Sequence, residues 1–239
     1  MTRLTLPPPY RAVCLTPELS AFGEACAAAR AGEGEGMIFW APRMDRLDVG
    51  LTLTPDRPRR ATLPVIYVAA LAFADALSAF APPPTPIGFG WPGAILIDGG
   101  RAGGLSLACA PSAPTAVPAW AALGFDLALC AGGDEPGRTP TQTFLDEEAF
   151  EGFTVAAQIE GFSRHFLAWL NRWDDDGLAP IAAEWSRRAF TPFTPTIVLP
   201  DGAATPLRLD EVGDLRVRQN GRERTLSLEA TFAGQASHG

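Results

Sequence analysis

The groups able to do chemistry in this chain are few. Residues 88–108, GFGWPGAILIDGGRAGGLSLA, hold only two charges, Asp98 and Arg101, and Arg101 stands beside Gly103 and Gly104, which leave the backbone open to close approach. Arg43 and Arg46 lie in a second short segment, APRMDRL, at residues 41–47. A guanidinium stays charged at any ordinary pH, so these arginines are the candidates for neutralising an acidic ligand. All 19 basic residues are arginine; the chain has no lysine. His165, in GFSRHFLAW, falls on the polar-leaning side of a helix and His238 lies in the tail, so neither is a strong choice for a catalytic base. Glu147-Glu148 precedes a helix, where acids suit the dipole, and Asp174-Asp175-Asp176 ends one as a solvated turn. Neither has metal-ligand spacing, and no metal site is expected. Trp40, Trp91, Phe39 and Phe89 could line an apolar pocket, although core packing accounts for them nearly as well.

Positioning such residues takes a core, and the composition allows one. The 239 residues suffice for one substantial domain and a small second one, and 47% of them are hydrophobic. A net charge of -8 argues against a nucleic-acid partner. Cys14, Cys26, Cys109 and Cys130 sit in apolar stretches without C-x-x-C spacing, as free thiols of a reducing compartment do. The N-terminus lacks the apolar run of a secretory signal, so the expected location is the cytoplasm.

The pattern of elements follows. Thr16-Pro17-Glu18 predicts a helix start, with the helix running to Arg30 and ending at AGEGEG. MIFW and DVGLTLTP predict two short strands joined by the arginine-bearing connection. Residues 63–80 approach membrane-spanning length, but Asp75 inside the run and APPPTP after it favour a buried helix packed on a sheet. Asp98-Gly99-Gly100 is the turn of a hairpin preceded by a loop, and residues 121–130 are a further strand. AGGDEPGRTPTQ is a polar loop. Ile159, Phe162, Phe166, Leu170 and Trp173 share one face of a helix from Val155 to Trp173, and residues 179–190 form one more short helix. The proline-rich TPFTPT at 191–196 marks a boundary, placing the main domain at 1–192 and a small β domain at 193–239, with Asn220-Gly221 as a hairpin turn.

This order of elements resembles the biotin and lipoate protein ligase family. The likeness is densest in LAFADALSAFAPPPTPIGFGWPGAILIDGGRAGGLSLA, against the family's alanine-rich helix, K-W-P-N-D, strand, turn and K-x-A/G-G-I-L. It recurs in FLAWLNRWDDDGLAPIAAEW, similar to the family's late helix and G-x-x-P-x-x-x-x-W turn. The resemblance implies an α+β fold: a biotin/lipoate ligase-like mixed β-sheet domain flanked by helices, plus a small C-terminal SH3-like β-barrel. It also implies adenylation of biotin or lipoate with ATP and Mg²⁺, then transfer to a lysine of a biotin- or lipoate-carrier domain. A small-molecule carboxylate and that carrier domain are the expected partners, with no nucleic acid and no membrane.

Carried over position by position, Trp91 and Pro92 match, whereas the family's lysine, asparagine and aspartate fall on Gly90, Gly93 and Ala94. Arg101 occupies the catalytic lysine's position, with Gly103 and Gly104 keeping the close backbone approach. The family's glycine-arginine loop is cut down to the connection bearing Arg43 and Arg46, after Trp40. Losing one preorganised donor costs on the order of 10²-fold to 10³-fold in rate, so several losses together speak against ordinary ATP-dependent ligation. Related transferases use a cysteine, which makes Cys109 and Cys130 candidate acyl acceptors, although a buried structural thiol is the commoner role. Two readings stand: an enzyme that activates or transfers an apolar acid with Arg101 as its main catalytic charge, and an inactive ligase-like protein that recognises the small molecule or the carrier domain.

Overall fold

The computed structural model describes residues 4–131, 141–189, 197–199 and 201–233, without the side chains of Val198 and Ala233. Most of the polar loop after Cys130, the proline-rich boundary at 191–196 and His238 lie outside the described residues. Seven strands make the main sheet: β1 (Arg11–Cys14), β2 (Met37–Ala41), β3 (Arg46–Leu53), β4 (Ile87–Gly90), β5 (Ala94–Ile97), β6 (Gly100–Cys109) and β7 (Ala121–Ala128). Their order is β1-β2-β3-β7-β6-β5-β4, with β1 and β2 parallel and the other pairs antiparallel. The parallel pair needs a crossover, which α1 (Ala21–Arg30) supplies.

Helix α1 packs on one sheet face, and two glycines let it lie unusually close. A Cβ on Gly50 would meet the Ala21 carbonyl oxygen at 2.1 Å, and one on Gly124 would meet the Phe22 ring at 2.6 Å. The helix begins at Ala21 rather than at Pro17, because Ser20 supplies the cap, its hydroxyl accepting from the Gly23 N–H at 3.2 Å. The opposite face carries the larger core. There α3 (Val65–Ser78), preceded by the short α2 (Arg59–Thr62), is buried almost all round between the sheet and α4 (Val155–Asp176). Residues 59–78 would pass for a membrane span by length and composition, yet 83% of that apolar window is buried in the protein. Helix α4 buries Ile159, Phe162, Phe166 and Trp173, and the Phe125–Phe162 and Phe162–Phe166 rings sit 4.5 and 5.3 Å apart. Such aromatic pairs contribute about 0.5–1.5 kcal/mol each beyond their area. The helix ends at Gly177, whose φ of 75° only glycine adopts freely. Helix α5 (Leu178–Ala189) follows and inserts Trp185 between Tyr67 and Phe89.

Beyond it, β8 (Ile197–Leu199), β9 (Gly202–Leu209), β10 (Leu215–Gln219) and β11 (Arg222–Leu226) form an antiparallel sheet in the order β11-β10-β9-β8. Its end strands are not paired with each other among the described residues, so what is seen is an open four-stranded sheet. A short helix, α6 (Leu228–Ala233), packs Leu228 and Phe232 into the main core where only strands are expected. Strand β4 likewise replaces an expected loop, because Ile87–Gly90 finds a partner in β5.

Candidate functional site

One row of cross-strand partners runs over the face that carries α1: Ala41, Asp48, Asp126, Gly104, Ala94 and Gly90, contributed by β2, β3, β7, β6, β5 and β4. Partners in a ladder point the same way, so the row is a floor of small residues with two carboxylates standing on it. Asp48 is engaged. Its carboxylate accepts from the Ala21 N–H at 3.2 Å and lies 4.0 Å from the Arg43 guanidinium. Asp126 makes no hydrogen bond or ion pair among the described residues. Desolvation by the surrounding strands pushes its carboxyl pKa up, the Arg46 and Arg101 charges oppose that rise, and Asp48 adds to it. The side chain is nevertheless open to solvent, Asp126 being the one exposed residue of β7.

Arg101 reaches this floor through an irregularity. In the β5–β6 ladder Ile95 pairs with Gly103 but Leu96 pairs with Arg101, which leaves Ala102 as a bulge pointing into the core. Simple alternation would put residues three apart on opposite faces; the bulge brings Arg101 onto the same face as Gly104. Its guanidinium comes to 3.4 Å from the point a Gly104 Cβ would occupy, and the Asp126 carboxylate comes to 3.8 Å from the same point. The Arg101 backbone is fixed by hydrogen bonds with Thr141 and Thr143 at 2.9 and 3.0 Å, while its side chain makes no hydrogen bond or ion pair among the described residues.

Arg43 and Arg46 border the same face. Arg43 lies 3.5 Å and Arg46 3.4 Å from Asp45, and Met44 between them is 89% exposed. The two glycines beside Arg101 have different surroundings. Gly103 is squeezed, since a Cβ would meet the Asp126 carbonyl oxygen at 2.1 Å, whereas a Cβ on Gly104 would make only ordinary contacts, the nearest 3.4 Å away on the Arg101 guanidinium. Gly93 is also a close-approach position, with its carbonyl accepting from the Leu105 N–H at 2.7 Å and a would-be Cβ 2.8 Å from the Leu105 oxygen. Pro92 shapes the turn that precedes it.

Trp40 and Trp91 do not join the arginines. Trp40 is 8% exposed and belongs to the core on the other side of the sheet, in step with Leu47 and Val49 rather than Asp48. The Trp91 indole N–H donates to the Tyr67 hydroxyl at 2.9 Å, and that hydroxyl donates to the Gly213 carbonyl at 2.7 Å, tying the β4–β5 turn to the C-terminal sheet. Cys109 lies eight residues along β6 from Arg101, roughly 25 Å at the rise of a strand, and burial pushes its thiol pKa up. Cys130 donates to the Met44 carbonyl at 3.6 Å. His165 lies on the helical layer behind the sheet, 4.0 Å from Asp75.

Sequence reasoning missed Asp48 and Asp126. Each is the one acid inside an otherwise largely apolar strand, in RLDVGLTL and in LGFDLAL, and that oddity was the available signal. Among the described residues no group of three or more metal-ligating side chains assembles. The floor does not fit a magnesium–triphosphate: Asp48 is occupied, Ala94 offers no carboxylate, and Asp126 sets a negative charge beside the one open guanidinium. What the arrangement can do is hold a small acid over Gly104 on Arg101.

The comparisons agree with this architecture. The sequence pattern of the Biotin/lipoate A/B protein ligase family matches residues 6–187. The biotin–[acetyl-CoA-carboxylase] ligase of Paracoccus denitrificans is 31% identical over 185 residues, 74% of this chain and 75% of that one. A biotin protein ligase-like protein of unknown function from Silicibacter superposes with a TM-score of 0.86 at 29% identity, covering 96% of this chain and 99% of its own. The biotin protein ligase of Aquifex aeolicus in complex with biotin and ATP gives a TM-score of 0.68 at 13% identity, over 90% and 94% of the two chains, a likeness of fold. A matched stretch that takes in α1 through most of α5, including the whole floor, places this chain in the biotin/lipoate A/B protein ligase family.

Proposed function

We propose that the protein binds a small apolar carboxylic acid, biotin, lipoate or a related acyl group, with the acid on Arg101 and the rest over Gly104 and Ala94. The observation that carries this reading is the guanidinium of Arg101, without a hydrogen bond or ion pair among the described residues, beside the glycine and alanine positions of the floor. A charge-assisted pair with a carboxylate is the strongest contact such a group makes. Arg43 and Arg46 add positive potential at the rim, partly spent on Asp45. ATP supplies the adenylyl group in ligase chemistry, but the residues on this floor do not fit it, and the role of this chain's own side chains is to bind and orient the acid. The second reading, a ligase-like binding or regulatory protein without catalysis, is favoured by the missing carboxylate at Ala94 and by Gly90 in the lysine's place. In either case the C-terminal sheet serves as the SH3-like module, and a cytoplasmic biotin- or lipoate-carrier domain is the macromolecular partner.

The test is ATP–pyrophosphate exchange with the purified chain, Mg²⁺ and a panel of biotin, lipoate and octanoate, with calorimetry for each acid. Exchange with one acid establishes an adenylating enzyme; binding without exchange establishes the second reading. Silence in both experiments refutes the assignment of the floor to an acid.

A further inference from the structure

The charges around the floor are balanced and unevenly spent. Arg43, Arg46 and Arg101 face Asp45, Asp48 and Asp126. Arg43 is shared between Asp45 and Asp48, and Arg46 lies against Asp45. Asp48 also takes the Ala21 N–H. That leaves Arg101 and Asp126, opposite in sign, both exposed, both without a hydrogen bond or ion pair among the described residues, and both within 4 Å of the position a Gly104 Cβ would take; the Arg46 and Arg101 charges reach Asp126 only through space. They are not in ion-pair contact with each other. A plain acid would satisfy the guanidinium while adding negative charge next to Asp126, which already has Asp48 as its neighbour across the β3–β7 ladder. A polyphosphate would do so several times over.

We propose that this floor selects an amphoteric ligand, with an acid group on Arg101 and, a few bonds away, an ammonium or amide N–H on Asp126, and that Asp126 is the residue that turns bare polyphosphates away. The inference rests on the floor being the ligand site and goes beyond that reading, because lipoate and octanoate carry no N–H donor and biotin carries its own at the far end from its acid. One glycine separates the two side chains, so acid and donor must belong to the same short segment of the ligand. A donor on Asp126 makes a charge-assisted hydrogen bond with a carboxylate that the neighbouring strands leave without one. A hydrogen-bond donor or a cation does this, and an ammonium does it with opposite charge as well; the apolar end of a fatty acid does not.

The experiment is calorimetry on the full chain with β-alanine and γ-aminobutyrate, the matching plain acids and amines, biotin, and ATP without metal. Wild type, Asp126→Asn and Arg101→Gln are compared, with Asp126→Ser as a second charge-removing variant and circular dichroism confirming the fold of each. Wild type is expected to hold an amino acid of matching length about tenfold or more tighter than the plain acid or amine. Asp126→Asn and Asp126→Ser should both erase that preference and raise the affinity for metal-free ATP about tenfold, and Arg101→Gln should weaken every acid. If biotin binds wild type but plain and amphoteric acids bind alike, or if both Asp126 variants leave the preference and the ATP affinity unchanged, this inference is overturned while the acid site stands. If no probe, biotin included, binds folded wild type, both fall.

Discussion

Gly103 and Gly104 are adjacent, have ordinary strand backbones and differ only in what a side chain would meet. Alanine at Gly103 drives a methyl to 2.1 Å from the carbonyl oxygen of Asp126, a backbone atom in the middle of the sheet with nowhere to go. Relief takes a shift of more than about 1 Å in the β6–β7 ladder, and overpacking of this kind costs about 1–3 kcal/mol, sometimes more. In a chain of this size each kcal/mol moves the melting temperature by about 2–4 °C, so Gly103→Ala should melt about 2–12 °C below wild type. At Gly104 the nearest atoms are 3.4 Å away and belong to the flexible end of Arg101, so Gly104→Ala should melt within about 2–4 °C of wild type. The entropy that alanine removes from the unfolded chain, about 0.4–1 kcal/mol, is common to both and cancels in the comparison. The Gly104 methyl, though, fills the space between Arg101 and Asp126, and calorimetry with the bound acid should show a loss of about tenfold or more, or about 1.4 kcal/mol. Thermal melting by circular dichroism and calorimetry on the same samples decide it. A Gly103→Ala variant as stable as wild type would refute the register of the β6–β7 ladder, and a Gly104→Ala variant with undiminished affinity would move the ligand off the floor.

Arg101→Gln keeps a polar side chain but removes the charge, and acid affinity should fall at least about tenfold; unchanged affinity in calorimetry removes Arg101 from the site. Tyr67→Phe strands the Trp91 indole N–H and the Gly213 carbonyl, and urea denaturation should register a loss of about 1–3 kcal/mol, against no change if water replaces the hydroxyl without cost. Hydrogen bonds from Arg187 and Arg188 hold the Glu184 carboxyl down at about 2, against an ordinary 4.5. With the folded pKa below the unfolded one, that stabilisation is full above about pH 4.5 and disappears as the pH falls through about 2, so the stability difference between wild type and Glu184→Gln should close over this range. Screening at this half-open site keeps the difference under about 1 kcal/mol; a gap that persists at the acid end sinks the assignment.

Much of this fold was legible because local signals and burial agreed. Residues 63–80 read as a buried helix through a long apolar run with one acid, and the α4 stripe through its three-to-four spacing. Asn220-Gly221 marked a hairpin, and both residues do adopt positive φ, at 51° and 76°. Legibility failed where long-range pairing decides. Ile87–Gly90 has weak strand propensity and is a strand only because β5 lies beside it, and Leu228–Ala233 is a helix tucked against a core that the tail's strand pattern does not announce. In the candidate site, charge and resemblance singled out Arg101 and its glycines. The sharing of a face by Arg101, Gly104 and Asp126 was not, because it depends on the Ala102 bulge and on cross-strand register, and neither leaves a mark in one dimension.

The C-terminal sheet is bolted to the start of the central helix. Gly213 lies against Pro64 and Tyr67, Arg59 pairs with Glu229 at 2.6 Å, and Leu209, Leu215, Val217, Leu228 and Phe232 share one apolar cluster with α3. A segment held that way is not a tethered accessory that swings on its linker. It melts with the helix it touches, so the whole chain should denature as one cooperative unit, and clipping the tail by protease should cost the main sheet its stability as well. Changes that loosen the tail would then reach the proposed acid site through the centre of the molecule rather than across its surface.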